Sequence, residues 1–244
     1  MKQIWIIAKR ELNSYFFSPV AYVFLVIFLL LMGFFTFMMG SFFGRGQANL
    51  LSFFTWHPWL YMFLVPSVGM RLWAEEQKQG TLELLFTMPL TMGQAILGKF
   101  LAGWIFLALG LLLTFPMILT VFYLGNPDGG PILTGYLGSL LLAGAYLAIA
   151  SLTSACTRNQ VISFITSLVI CLLLVLVGFP PVTNLLLKWG APNGLIDFAA
   201  SLSVFFHFES MQRGVLDFRD LLYFASLIFF ALFATGVVLK NRRS

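Results

Sequence analysis

Residues 19–40 read PVAYVFLVIFLLLMGFFTFMMG, an unbroken apolar run without one charged side chain. A helix of that length reaches across the roughly 30 Å hydrocarbon core of a bilayer. The run is too long for the core of a secretory signal, and no small-x-small cleavage site closes it cleanly. It therefore predicts a retained membrane span. The remainder of the chain agrees. Hydrophobic residues make up 60% of the 244, charged residues 9%, and mean hydropathy is +0.94. A soluble domain carries about 25% charged residues. With so few charges, a soluble fold lacks the polar groups to cover its own surface, so lipid is the simpler solvent.

Upstream, residues 2–17 place Ile4, Ile7, Ala8, Leu12 and Tyr15 at helical spacing, with Lys2, Lys9 and Asn13 elsewhere on the wheel. This predicts an interfacial amphipathic helix on the membrane surface, with Lys9 and Arg10 near anionic headgroups. Ser18 and Pro19 then supply an N-cap and a first helical position.

Downstream, the same reasoning yields further spans at 55–74, 92–123, 134–156, 160–179 and 219–239, for about six in all. The third is long enough to tilt or kink near Pro116, and Thr91 with Gln94 fits a capping box at its start. Residues 126–131, NPDGGP, form a dense turn signal, and Pro180-Pro181 stops the fifth span. Residues 182–218 hold only short apolar pieces broken by Pro192, Gly194 and Gly214, and predict extracytoplasmic or re-entrant helices. The expected fold is thus all-α and polytopic, one transmembrane domain over 1–244.

An even number of spans leaves both termini on one side. Of the 14 Lys and Arg residues, 10 fall on that side and four, Arg45, Lys188, Arg213 and Arg219, on the other. The positive-inside rule then places both termini in the cytoplasm. The basic residues lie between apolar runs and form no cluster for nucleic acid. Cys156 and Cys171 sit in apolar stretches, and His57 and His207 have no ligand-like spacing. They predict buried thiols and interface or loop histidines, with no metal site.

The segment 71–91, RLWAEEQKQGTLELLFTMPLT, carries the functional signal. The second span runs on past the membrane through Glu75, Glu76, Gln77 and Lys78. Gly80 breaks that helix because it tolerates the left-handed conformation. Thr81 caps a new helix, Glu83 sits in its first turn, and Leu82, Leu84, Leu85 and Phe86 give it an apolar surface that Pro89 ends. A short cytosolic helix tied to two spans, showing carboxylates and leucines, has the chemistry of a docking element. Glu76 and Glu83 are the best acceptors, since docking needs exposed carboxylates.

This stretch, with Gly80-Thr81-Leu82-Glu83-Leu84-Leu85 at its centre, resembles the inner loop of ABC-2 type permeases. Lys99 early in the third span matches as well, and Lys9-Arg10-Glu11-Leu12 is similar to the family's interfacial helix. In brevity the chain looks closest to the gliding-motility permeases, then to those of nitrous oxide reductase maturation. The resemblance implies a permease of the bacterial inner membrane, working as a dimer with a second copy or a paralogue. It implies a separate ABC ATPase, which binds ATP and magnesium and grips the coupling helix at 75–89. An extracytoplasmic partner is a further implied possibility for 182–218.

The chain itself has no P-loop and no catalytic constellation, so no cofactor and no enzymatic role are expected of it. No Asp, Glu or Arg falls at the centre of a predicted span, and Lys99 near the inner boundary is expected to snorkel. This argues for an apolar, amphipathic or polymeric export substrate over a small ion. The rival reading is a mechanical signal transducer that moves no substrate. In the fifth span Asn159, Ser163, Thr166, Ser167 and Ile170 recur at helical spacing, and in the fourth Gly144, Ala148, Ser151 and Ala155 do so. Such faces pack helices within one subunit or, for the fifth-span stripe together with Ser67, line a dimer seam or pathway.

Overall fold

The computed structural model describes residues 2–82, 90–188 and 192–241. Among them every regular element is a helix. In chain order these are α1 (Lys2–Phe17), α2 (Pro19–Phe34), α3 (Leu51–Phe54), α4 (His57–Gly69), α5 (Arg71–Gln79), α6 (Met92–Leu112), α7 (Phe115–Leu124), α8 (Gly129–Cys156), α9 (Gln160–Leu176), α10 (Pro180–Lys188), α11 (Asn193–Ser201), α12 (Val204–Gln212) and α13 (Phe218–Asn241). A π-helical turn, Phe35–Met39, extends α2.

Four stretches are long and apolar enough to cross a membrane: Pro19–Met39, Met92–Leu124, Gly129–Cys156 and Phe218–Asn241. The pair α9 and α10, bent by 65°, makes a fifth if taken as one broken span. The second expected span, 55–74, is not one helix. It divides at Met70 into α4 and α5, and neither part is long enough to qualify alone.

Helix α8 is the hub, with 67% of its apolar window buried against 17% for α13. Small residues let its neighbours approach. A Cβ on Gly135 would lie 2.4 Å from the Phe54 ring, and one on Gly138 would lie 2.8 Å from Met211 Sδ. On α4, a Cβ on Gly69 would lie 2.3 Å from Ala150 Cβ, so the two backbones are in contact there.

The caps expected from the sequence form. Ser18 accepts from Val20 N with Pro19 at the first position, and Thr91 and Gln94 close a reciprocal capping box. The two ends of the bundle follow from packing. Ile96 near the start of α6 meets Gly236 near the end of α13, and Gly98 meets Ile7 of α1, so both described termini share one end. Phe54, Met211 and the N-terminal half of α8 lie at the other.

The apolar stripe of α1 does not face lipid. Ile7 and Ala8 are buried, and Ile7 Cγ2 lies within 2.7 Å of where a Cβ on Gly98 would be. Tyr15 stacks on Phe106 with ring centroids 5.4 Å apart. The exposed face carries Trp5, Ile6, Lys9, Arg10 and Phe17 instead. α6 is itself apolar and notched by glycine, so it offers α1 a better-packed surface than acyl chains do.

Candidate coupling site

Helix α5 is polar along most of its length, and two side chains and one backbone carbonyl of the C-terminal half of α8 fix its position. Ser154 Oγ accepts from Trp73 N and Ala74 N, each at 3.0 Å, and donates to Met70 O at 2.9 Å. Met70 O is the acceptor that Ala74 N would use in an uninterrupted helix. A hydroxyl inserted into the ladder is a recognised cause of a kink, and it explains the division of the second span at Met70. Trp73 Nε1 donates to Ser151 Oγ at 3.0 Å, and Gln77 Nε2 donates to Ala155 O at 2.9 Å. Trp73 and Ala74 are fully buried.

At its far end α5 stops at Gly80, whose φ of 70° is left-handed. Thr81 N bonds back to Glu76 O at 3.1 Å, the long-range bond of a Schellman C-cap. Thr81 Oγ1 also leans on Glu76 O at 3.4 Å, and Leu82 packs half-buried against the core. Glu83, Leu84, Leu85 and Pro89 lie outside the described residues.

Two expectations about charge are corrected. Lys99 does not snorkel outward. It is buried, and its Nζ lies 2.8 Å from Glu76 Oε1, 3.5 Å from Glu11 Oε1 and 5.3 Å from the centre of the Trp73 ring. Glu76 is accordingly no exposed acceptor. Its Oε1 belongs to Lys99, and its Oε2 is buried without a hydrogen-bond partner among the described residues. Among the described residues Glu75, half-buried, receives only a long contact from Gln79 Nε2 at 3.4 Å. Glu11 is also held by Arg10 at 2.9 Å, while Lys9 stays exposed. Burial and the neighbouring Glu11 push the Tyr15 phenol well above its usual range, so it stays protonated.

The fifth-span stripe splits. Ser163 and Ser167 are fully buried and turn toward Thr153 of α8, so they serve packing inside one chain. Thr166 is exposed and bonds its own helix at Ile162 O, Ile170 is half-buried, and Ser67 donates to Leu64 O at 2.7 Å. Gly144 packs against Trp104. His207 is no lone loop residue: its Nδ1 lies 2.6 Å from Asp220 Oδ1 and its Nε2 3.0 Å from Ser201 O. Among the described residues no group of His, Cys, Asp or Glu could hold a metal.

Sequence reasoning missed Ser154 and the inward role of Lys99. Spacing did flag Ser151 as part of a small-residue face, but not its partner Trp73.

A search of curated proteins returns no match. A family model described as ABC-2 family transporter protein matches residues 60–239, which take in α5, Lys99 and the whole of α8. On that match over most of its length, the chain belongs to the ABC-2 transporter family.

Proposed function

We propose that this chain is the permease subunit that couples a separate ABC ATPase to export across the bacterial inner membrane. ATP and magnesium bind to that partner. The chain crosses six times in this reading, with α4 and α5 as a broken second span and both termini in the cytoplasm. Two copies, or a copy and a paralogue, make the working unit. The substrate is apolar, amphipathic or polymeric.

The observation that carries the reading is the anchoring of α5, by hydrogen bonds to α8 and by the Lys99 ion pairs. A docking loop transmits force only if it cannot swivel on its mounting. α5 is joined to α8 through Ser151, Ser154 and Ala155, and to α1 and α6 through Glu76, Lys99 and Glu11. A push delivered to α5 would therefore reach α8, which also packs against α4, α6, α9, α12 and α13. Coupling between two sites needs such a shared element with two arrangements.

Glu83→Lys tests it. The variant should insert normally and lose most of its co-purifying ATPase. Undiminished co-purification overturns the docking role.

A further inference from the structure

A cavity of about 630 Å³ opens between the α1–α2 elbow, α4, α5 and α6. That is the size range of small-molecule sites. Its two ends differ chemically. Val20, Val23, Phe24 and Ile27 of α2 face Leu64 and Val68 of α4 at one end. Glu11, Arg71, Glu75, Glu76 and Lys99 gather at the other.

The charges there are not equally available. Lys99 is committed to Glu76 and Glu11, and Glu11 is shared with Arg10. Arg71 is exposed and forms no ion pair among the described residues. Among the described residues Glu75 accepts only the long Gln79 contact, and Glu76 Oε2 has no hydrogen-bond partner. Glu75 and Arg71 lie four residues apart on α5, one turn of helix, so they share a face. Among the described residues the cavity thus offers one guanidinium and one carboxylate outside the Lys99 network. With Arg10 counted beside Glu11, three carboxylates there meet three cations, so the ion pairs behind Arg71 and Glu75 balance. Arg suits a phosphate oxygen pair, and the carboxylate suits an ammonium. A purely anionic headgroup would leave Glu75 without a cation and face its charge.

We propose that this cavity binds a phospholipid-like amphiphile with a zwitterionic, primary-amine headgroup. The phosphate sits on Arg71, the ammonium on Glu75, and the chain lies between α2 and α4. The inference rests on the export reading for amphiphiles and names the substrate class of the inward-loaded state. Phosphatidylethanolamine is the probe.

The test is native mass spectrometry of the chain purified with its ATPase, offered phosphatidylethanolamine, phosphatidylglycerol or phosphatidylcholine. Phosphatidylethanolamine should be retained over the other two by up to about fivefold, the scale of one partly exposed charge pair. Glu75→Gln should bring it down to the phosphatidylcholine level. Arg71→Ala should lower all three, and Val23→Trp should block the apolar end. Size-exclusion profiles confirm that each variant is folded. Equal retention of all three lipids, or retention indifferent to Arg71 and Glu75, overturns the proposal. So does a disulfide between Val23→Cys positions of two copies with no lipid retained, since a second copy would then fill the space. Failure here with the ATPase still bound removes the lipid site alone. Loss of ATP-driven transport with lipid binding intact removes the export reading alone.

Discussion

Lys99 Nζ lies 2.8 Å from Glu76 Oε1 and 3.5 Å from Glu11 Oε1, so one buried ammonium ties the third expected span to both α5 and the N-terminal helix. Its desolvation is offset only while both carboxylates stay in place. The three elements therefore move together or lose the pairing. The Trp73 ring, 5.3 Å away, adds a weaker attraction for the same charge.

Lys99→Met strands Glu76 without its cation, while Glu11 keeps Arg10. Removing one partner of a buried pair costs about 3–5 kcal/mol. Thermal unfolding of the purified chain should show a large loss of stability. Adding Glu76→Gln should recover part of it, because the stranded charge is then gone.

Ser154→Ala strands the amides of Trp73 and Ala74. The cost is about 1–3 kcal/mol if they stay buried and unpaired. The alternative is that Ala74 N rebonds to Met70 O, straightening the second span. Either outcome should reduce substrate-stimulated ATPase activity of the complex while the ATPase still binds, because the elbow persists but its mounting has changed. Ser154→Thr, which keeps the hydroxyl, should retain more activity.

Gly69→Leu drives a side chain into Ala150, where even a Cβ would come within 2.3 Å. Overpacking of this kind costs about 1–3 kcal/mol and shifts backbone. α4 and α8 should separate, and cysteine cross-linking between neighbouring positions on the two helices should weaken.

Gly80→Val forces a β-branched residue into a φ of 70°. The penalty is about 1–2 kcal/mol. ATPase co-purification should fall. Gly80→Asn, which tolerates the left-handed region, should hold it near the wild-type level.

Much of the helical architecture was legible from the chain alone, because hydrophobic length and caps are local. Ser18-Pro19, Thr91 with Gln94, and Gly80 each act within a turn of their own backbone. The basic-residue asymmetry is likewise a property of order along the chain. The break in the expected second span was not legible because a hydropathy run reports only burial or lipid exposure. It carries no sign that Ser154, some eighty residues later, would enter its hydrogen-bond ladder.

The site was legible as a segment and illegible as a geometry. Residues 71–82 showed a charged helix ended by glycine, which is a matter of composition and φ. Which carboxylate is spent inside and which stays available is not local. Glu75 and Glu76 are adjacent and chemically alike, yet a helix turns them about 100° apart. Only the packing of α6 and α1 assigns Glu76 to Lys99 and leaves Glu75 to the cavity. Ser163 and Ser167 lost their place on a seam for the same reason, since α8 covers their side of α9. Sequence order set the membrane-embedded helices and the position of the elbow, while tertiary contacts alone decided how the elbow is anchored, because buried polar groups are satisfied by whichever partners the packing brings to them.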